Sequence, residues 1–295
     1  MSTTSTEEWT IGRLLTWTAD YLKKQGADSP RLDAEVLLAH ARGCQRIELY
    51  TAFGDIADEA LRNAFRELVK RRALGTPVAY LVGRREFYSL SFQVGPAVLV
   101  PRPETEFVVI EVLDRIKAAK WKAPRIADVG TGSGAIAVSV AKHAPDARIT
   151  AVDLSPDALA FAARNVTEHG VGERVELVES DLLSALPADQ KFEIIASNPP
   201  YVTESEYAAL DKEVRDHEPR LALVGGPEGT DVIARLAHES ADRLELGGWL
   251  IMEISPMILE KVKAVIESEP RLQWIGVAKD LAGLARVVAA QRIAA

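Results

Sequence analysis

The second half of the sequence alternates between short apolar runs and longer amphipathic segments, and this alternation limits the possible folds more than any other feature. Six runs have the character of strands: RIADVG (125–130), RITAVD (148–153), RVELVE (174–179), FEIIASN (192–198), GGWLIMEIS (247–255) and LQWIGVA (272–278). Helical patterns fill the intervals at 134–143, 156–169, 204–216, 229–245 and 256–268. This order predicts a parallel sheet with helices on both faces.

A seventh apolar run, ARVVAAQ (285–291), follows the sixth predicted strand after a short connection that contains glycine. A parallel crossover needs a dozen or more residues, so this strand is expected to run antiparallel beside the sixth. The sequence therefore predicts an α/β fold with a seven-stranded, doubly wound, Rossmann-like sheet whose last strand is antiparallel.

The first eighty residues carry helical patterns instead. Ser29 and Pro30 offer an N-cap and a first-turn proline. Apolar stripes at helical spacing run through RLDAEVLLAH (31–40) and DEALRNAFRELVKRRA (58–73). The aromatic segment EFYSLSFQV (86–94) alternates with polar residues and predicts a β-hairpin. Three parts are expected: a small helical bundle at 1–80, a β-hairpin linker at 81–100 and the α/β domain at 101–295.

Composition argues against several classes of protein. The net charge of −8 over 295 residues argues weakly against a stable nucleic-acid binder, because phosphate binding favours clustered lysine and arginine. The only cysteine, Cys44, cannot form an internal disulfide and fits a reducing compartment such as the cytoplasm. The N-terminus has no apolar signal-peptide core, and no uncharged apolar run approaches the ~18 residues of a membrane span. The histidines are scattered without metal-ligand spacing, so no metal is expected.

The segment IADVGTGSGAIAVSVA (126–141) has the pattern of a strand, a glycine-rich turn and a helix. Gly130, Gly132 and Gly134 let the backbone turn tightly and approach a ligand at a helix N-terminus. Asp153 ends the next predicted strand, where an acid can accept hydrogen bonds from both hydroxyls of a ribose. A ligand that contains a nucleoside is therefore predicted.

Two ligands are compatible with this loop. Gly130, Gly132 and Ala135 meet the dinucleotide pattern G-x-G-x-x-G/A, which is typical of NAD enzymes. Residues 128–134 also meet the pattern acid-x-Gly-x-Gly-x-Gly, which is typical of S-adenosylmethionine (AdoMet) sites. The loop alone leaves both ligands open. Its candidate contact residues are Asp128, Gly130, Thr131, Gly132, Ser133 and Gly134.

Asp181 and Leu182 follow the third predicted strand. The carboxyl ends of strands in an open α/β sheet line one crevice, so both residues are expected near the ligand. Asp181 can accept a hydrogen bond from an adenine amine, and Leu182 can cover the face of the ring. An aspartate that only caps a loop is an equally good interpretation of Asp181.

The fourth predicted strand ends in the sequence SNPPY (197–201). The side-chain carbonyl of Asn198 and the backbone carbonyl of Pro199 are both acceptors, and together they can hold both hydrogens of a planar –NH₂ group. Pro199 and Pro200 stiffen the turn and add no N–H donors. Tyr201 offers a flat apolar face for the group that carries the amine. The motif therefore predicts a rigid acceptor cradle for a substrate –NH₂.

This cradle suits methyl transfer to nitrogen. An amide or aryl amine is a poor nucleophile because its lone pair is delocalised. Two acceptors on its hydrogens favour a pyramidal nitrogen whose lone pair faces the methyl donor. Because a sulfonium methyl is already activated, no strong base is required, and Asn198 is interpreted as an orienting and polarising residue.

With these features the chain resembles the release-factor glutamine methyltransferases, the PrmC/HemK family, over nearly its whole length. The matching stretches are RLDAEVLLAH, GTPVAYLVGRREFY, VLVPRPETE, DVGTGSGAIA, AVDLSPDAL, SNPPYV, DHEPRLALVGGPEG and LAGLARVVAAQ. NPPY is shared with adenine and cytosine amino-methyltransferases of DNA, whereas RLDAE and the GRREFY–PRPETE linker are more specific. The resemblance implies a class I methyltransferase domain behind a helical, substrate-recognising domain. It implies AdoMet-dependent methylation of the side-chain amide of the glutamine in the Gly-Gly-Gln loop of class I peptide release factors.

The resemblance also implies roles for individual residues. Residues 130–134 correspond to the cofactor loop, Asp153 to the ribose acid, and Leu182 beside Asp181 to the adenine side. The residues implied to bind glutamine are Asn198, Pro199, Pro200 and Tyr201, with Asn198 also next to the cofactor. Two stretches depart from the usual pattern: EISP (253–256) stands where the family usually has E-I-G, and Leu182 stands where an aromatic residue can occur.

Four alternatives stay open beside this interpretation. A sister enzyme that methylates a glutamine of a large-subunit ribosomal protein would share the fold, the motif and the cofactor. A DNA amino-methyltransferase would need a basic target-recognition domain, which the sequence does not show. A dehydrogenase would leave NPPY unexplained, and a binding module without catalysis would hold the release factor without methyl transfer. The expected protein is a cytoplasmic monomer.

Overall fold

The computed structural model describes residues 8–293, which divide into two compact units. The first unit contains the described residues up to Gly83 together with Lys212–His217, and the second contains Arg84–Asp211 and the residues from Glu218 onward. The sequence did not indicate that a short segment from the middle of the α/β domain joins the helical unit.

The first unit is a helical bundle. Its consecutive helices are α1 (Ile11–Lys24), α2 (Pro30–Arg42), α3 (Arg46–Thr51), α4 (Glu59–Ala73) and α5 (Val78–Val82). Leu15, Leu37 and Phe65 are buried in one apolar core that these helices share. Pro30 begins α2 as predicted, but the Ser29 side chain makes no capping hydrogen bond. The predicted N-cap is therefore right in position and wrong in its interaction.

A buried ion-pair group ties the segment Lys212–His217 to this bundle. The Arg72 guanidinium donates to Asp33 Oδ2 at 2.8 Å and to Glu213 Oε2 at 2.6 Å. Only 9% of the Arg72 side chain is exposed. Asp33 belongs to α2, Arg72 to α4 and Glu213 to the segment Lys212–His217. The Arg72 side chain therefore holds this segment against α2 and α4.

The second unit begins with the predicted hairpin, formed by β1 (Arg84–Phe87) and β2 (Leu90–Gln93). Its large sheet then has seven strands, whose order from edge to edge is β5-β4-β3-β6-β7-β9-β8. Their bounds are β3 (Arg125–Val129), β4 (Arg148–Asp153), β5 (Val175–Glu179), β6 (Phe192–Ser197), β7 (Leu244–Glu253), β8 (Leu272–Lys279) and β9 (Ala285–Arg292). The strand β9 runs antiparallel to both β7 and β8, so the predicted sheet and its antiparallel last strand are confirmed.

Helices connect the parallel strands. They are α6 (Glu106–Ala119), α7 (Ala135–His143), α8 (Pro156–Glu168), α9 (Glu204–Ala209), α10 (Lys212–His217), α11 (Asp231–Arg243) and α12 (Leu259–Ser268). The predicted helix at 204–216 is wrong as a single element, because Leu210 has an extended backbone (φ −61°, ψ 152°) that ends α9. The predicted helix at 229–245 is two residues too long at each end, since α11 begins at Asp231 and β7 already begins at Leu244.

The order of the strands reverses between β3 and β6. From β3 the chain proceeds outward through β4 to β5, and then it returns to β6 and proceeds the other way to β7. Right-handed crossovers place the helices of the two halves on opposite faces, and ligands of such sheets bind where the direction changes. Val129 and Ser197, the last residues of β3 and β6, are direct register partners at this point. The glycine loop and the NPPY motif therefore leave the sheet side by side.

Candidate active site

A cavity of about 480 Å³ lies at the carboxyl ends of β3, β4 and β6. The predicted site residues that line it are Gly130, Thr131, Gly132, Ser133, Asp153, Asp181, Leu182, Asn198 and Pro200. Four predicted residues do not line it: Asp128, Gly134, Pro199 and Tyr201. The structure thus brings most of the predicted site together around one space, and it places the other four behind or beside the wall.

The glycine loop adopts the conformation that its residues predict. Gly130 and Gly132 have φ values of +71° and +56°, in the left-handed region that favours glycine. A Cβ atom built on either glycine meets no atom within 4 Å, so the loop backbone faces open space. Gly134, by contrast, packs against Ala162, whose Cβ would lie 3.4 Å from an added methyl group. Two glycines therefore open the cavity, and the third has a φ of +80° at the start of α7, a backbone conformation that favours glycine.

Asp128 supports this loop from below. Its carboxylate is fully buried, and its Oδ2 atom accepts hydrogen bonds from Thr131 Oγ1 at 2.6 Å and from the backbone N–H of Ala137 at 3.0 Å. Its Oδ1 atom has no hydrogen-bond partner among the described residues. Burial raises the pKa of Asp128 to about 6, although the two hydrogen bonds oppose this effect. Asp128 therefore affects the cavity indirectly, because its hydrogen bonds hold the glycine loop in place.

Asp153 reaches the cavity from the end of β4. Its Oδ2 atom accepts from the backbone N–H of Gly132 at 2.8 Å, and its Oδ1 atom accepts from the N–H of Ser155 at 2.9 Å. Burial raises the pKa of Asp153, and these backbone hydrogen bonds oppose the rise. A carboxylate has about four acceptor sites, so Asp153 keeps acceptor capacity for a ligand. The Asp153 carboxylate is therefore held in place by the backbone and can still accept hydrogen bonds from a ligand.

Asp181 and Leu182 line the cavity just beyond the end of β5, the strand that pairs with β4. Asp181 accepts a hydrogen bond from the Arg235 guanidinium at 2.8 Å, and about half of each side chain is exposed. Leu182 has a φ of +50° and packs against the hydrophobic core. Sequence reasoning missed Arg235, which lines the cavity beside Asp181 and directs one of its carboxylate oxygens.

Four side chains from three segments of the chain meet at the NPPY motif. Asn198 Nδ2 donates to Thr105 Oγ1 at 3.1 Å, and Thr105 Oγ1 donates to Glu253 Oε2 at 2.5 Å. The Tyr201 hydroxyl donates to the other oxygen of the same carboxylate, Glu253 Oε1, at 3.2 Å. Burial raises the pKa of both Glu253 and Tyr201, so the tyrosine stays a hydrogen-bond donor. The residues at both ends of the motif are therefore tied to one buried acid.

Backbone contacts hold the same turn from the other side. The N–H of Val202 donates to the carbonyl of Leu223 at 2.9 Å, and the N–H of Gly225 donates to the carbonyl of Val202 at 3.0 Å. A Cβ atom on Gly225 would lie 2.3 Å from the Pro200 carbonyl oxygen. The backbone at Gly225 approaches the backbone at Pro200 so closely that no residue with a Cβ atom fits at position 225.

Comparison with known proteins identifies the family. Residues 13–83 match the family model described as the PrmC N-terminal domain, and residues 108–226 match the methyltransferase small domain. A release factor glutamine methyltransferase from Rhodopirellula baltica is 53% identical over 292 residues, which cover 98% of this chain and 99% of that protein. The chain belongs to the release factor glutamine methyltransferase family. The resemblance drawn from the sequence motifs is confirmed.

A second relative agrees with this family, and a solved structure shares the fold. A release factor glutamine methyltransferase from Nitratidesulfovibrio vulgaris is 39% identical, over 99% of this chain and 98% of its own length. A 16S ribosomal RNA methyltransferase from T. thermophilus, solved with AdoMet and guanosine, is 17% identical with a TM-score of 0.51. The match covers 71% of this chain and 49% of that one, and it concerns the fold alone.

The PRPETE segment gains two partners that its sequence alone did not reveal. Thr105, the last residue of the turn Pro103–Thr105, contacts Asn198. Arg102 donates to Glu218 Oε1 at 2.6 Å. In the sequence, only the resemblance of this segment to the family indicated that it has a role.

Within residues 8–293, no helix is long and apolar enough to cross a membrane. In the same range, no group of three or more His, Cys, Asp or Glu side chains is arranged to hold a metal ion.

Proposed function

We propose that this protein transfers a methyl group from AdoMet to the side-chain amide nitrogen of the glutamine in the Gly-Gly-Gln motif of class I peptide chain release factors. The proposal rests on the 53% identity to a release factor glutamine methyltransferase over 98% of the chain. Because this match includes residues of both units, it supports a shared protein substrate as well as a shared fold. We further propose that the enzyme is a cytoplasmic monomer and that its helical unit recognises the release factor.

The residues around the cavity suit AdoMet. The open space over Gly130 and Gly132 admits a ligand against the loop backbone, and Asp153 keeps acceptor sites that fit the two hydroxyls of a ribose. Asp181 and Leu182 are proposed to contact the adenine. When bound, AdoMet supplies an electrophilic methyl group on a sulfonium. The T. thermophilus neighbour with this fold was solved with AdoMet, which supports the choice.

Asn198 and Pro199 are proposed to hold the substrate amide. The Asn198 side-chain carbonyl and the Pro199 backbone carbonyl accept one hydrogen each from the glutamine –NH₂. The nitrogen lone pair is then less delocalised and is directed toward the methyl group, which lowers the barrier through orientation and electrostatics. As the nitrogen–carbon bond forms, the carbon–sulfur bond of the sulfonium breaks to give S-adenosylhomocysteine, and one amide proton leaves after the transfer. Pro200 keeps the turn rigid. We propose that Tyr201 fixes the end of the cradle, because its hydroxyl is bonded to Glu253.

The experiment that tests this function measures methyl transfer from labelled AdoMet to a purified full-length class I release factor. Its controls are the same factor with the Gly-Gly-Gln glutamine changed to alanine, a mixture of large-subunit ribosomal proteins, and duplex DNA. Label on the intact factor and none on the alanine variant is expected. Label on ribosomal protein or DNA alone would refute the proposed substrate and retain the methyltransferase chemistry.

A further inference from the structure

We propose that Thr105 and Glu253 are positioning residues that fix the side-chain amide of Asn198 with its carbonyl oxygen turned toward the substrate. The inference deepens the function proposed above and rests on it. Thr105 lines the cavity beside Asn198, whereas Glu253 lies outside the cavity lining. They act through hydrogen bonds in series, from Asn198 Nδ2 to Thr105 Oγ1 and from Thr105 Oγ1 to Glu253 Oε2.

The direction of these hydrogen bonds follows from how many protons each group carries. A carboxylate can only accept, and a threonine hydroxyl has a single proton. Thr105 gives that proton to Glu253 at 2.5 Å, so toward Asn198 it presents only a lone pair. Asn198 must then turn its –NH₂ group to Thr105, and its Oδ1 atom faces the opposite way. Rotating the amide by 180° would set two oxygen lone pairs against each other.

This selection matters because an asparagine side chain has two orientations of nearly identical shape. One orientation offers an acceptor to the substrate –NH₂, and the other offers a donor that would repel it. Left without a neighbour that distinguishes oxygen from nitrogen, Asn198 would populate both. The Thr105 hydroxyl distinguishes the two orientations, because it accepts from the –NH₂ group and not from the oxygen of Asn198. It can only accept there because it donates its single proton to the Glu253 carboxylate.

Burial has the largest effect on Glu253 and raises its pKa, while three neighbours favour its ionised, accepting form. Its two oxygens receive hydroxyl protons from Thr105 and Tyr201, and Arg286 adds a favourable positive charge. Burial and the nearby carboxylate of Glu104 act in the opposite direction. Only 2% of Glu253 and 4% of Thr105 is exposed, so water does not compete for these hydrogen bonds. The arrangement is rigid as well as polar.

The test compares Thr105→Val, which keeps the shape and removes the hydroxyl, with Thr105→Ser, which keeps the hydroxyl. Thr150→Val serves as the matched control, because Thr150, on β4, is also buried and its hydroxyl accepts a hydrogen bond from the side chain of Gln190, in the loop before β6. The measurements are kcat and KM for the full-length release factor and the Kd for AdoMet. Thr105→Val is expected to lower kcat about 10- to 100-fold, with KM and Kd changed less than about three-fold. Thr105→Ser and Thr150→Val should stay within about three-fold of the wild-type kcat.

A second readout does not depend on the substrate. The side-chain –NH₂ resonances of Asn198, assigned by their loss in Asn198→Ala, should move in Thr105→Val and keep their wild-type positions in Thr105→Ser. Unchanged resonances would overturn the proposal, as would a Thr105→Ser enzyme as impaired as Thr105→Val. Loss of AdoMet binding in Thr105→Val would assign Thr105 a general structural role and overturn it too. If the wild-type protein did not methylate the factor, the proposed substrate would fall, and the resonances would still decide the orientation of Asn198.

Discussion

Gly225 offers a sharp test of how precisely the NPPY turn must be placed. A Cβ atom at this position would lie 2.3 Å from the Pro200 carbonyl oxygen and 2.9 Å from the carbonyl carbon. On another side it would lie 3.0 Å from the carbonyl oxygen of Gly229. All three neighbours are backbone atoms, so no flexible side chain can move aside. Gly225→Ala must therefore displace the backbone of the NPPY turn itself.

The size of that displacement follows from ordinary contact distances. A carbon atom and a carbonyl oxygen approach to roughly 3.3 Å, so the alanine methyl group demands a shift of about 1 Å. A misplacement of about 1 Å at a reacting centre costs on the order of 100-fold in rate, or about 2.7 kcal/mol of barrier. We expect Gly225→Ala to lower kcat for the release factor by about this factor. The glycine loop is untouched, so the Kd for AdoMet should change less than about three-fold.

Gly172→Ala is the matched control. The nearest atom to a Cβ at Gly172 is Val166 Cγ1 at 3.7 Å, an ordinary contact, so this variant should keep the wild-type kcat. Methyl transfer would be followed with labelled AdoMet at a temperature where circular dichroism shows both variants folded, and AdoMet binding would be measured by calorimetry. A folded Gly225→Ala enzyme with a kcat within about three-fold of wild type would show that the cradle tolerates a shift, against the precision assumed for Asn198 and Pro199.

Three further predictions address the cofactor, the pH dependence and the helical unit. Asp153→Asn should weaken AdoMet binding about 10- to 100-fold in calorimetry, because an amide replaces one ribose acceptor by a donor; unchanged affinity would remove Asp153 from the site. Burial raises the pKa of Asp128 to about 6, so the folded state binds more protons than the unfolded state between about pH 4 and 6, and stability falls as pH rises through that window. The free energy of unfolding of Asp128→Asn relative to wild type should accordingly rise by about 2 kcal/mol from pH 4 to pH 7 in urea titrations; a flat difference would contradict the shifted pKa. Arg72→Met should lower the free energy of unfolding by about 3–5 kcal/mol, because it leaves the carboxylates of Asp33 and Glu213 without their shared partner; a loss below about 1 kcal/mol would show that solvent replaces the guanidinium.

Much of the fold could be predicted because its causes are local. The alternation of apolar runs and amphipathic segments fixes the order of strands and helices, and the short connection before 285–291 requires an antiparallel strand. The exception at 204–216 has a tertiary cause. This stretch has helical character throughout, but Glu213 pairs with Arg72 of the helical unit, and the chain becomes extended at Leu210. Local pattern cannot reveal which unit a short helix will join.

The same distinction between local and tertiary causes applies to the residues of the site. The glycine loop, Asp153 and Asn198 each stand at the end of a predicted strand, so their convergence follows from parallel topology. The partners that hold Asn198 could not be found in this way. Thr105 lies 93 residues before Asn198 in the chain and 148 residues before Glu253, and no periodicity or spacing connects such distant positions.

Energetics explains why the buried acid at the end of β7 should be interpreted as functional. Removing a carboxylate from water costs stability, and an apolar residue of similar size would commonly serve a core as well or better. Burial also raises the pKa of Glu253, which means that the surroundings still disfavour its charge despite the donors Thr105 and Tyr201. The packing of the core therefore does not explain why a glutamate stands at position 253. An acceptor with no proton to give is, however, what obliges Thr105 to direct its proton inward, and the orientation of Asn198 depends on that direction.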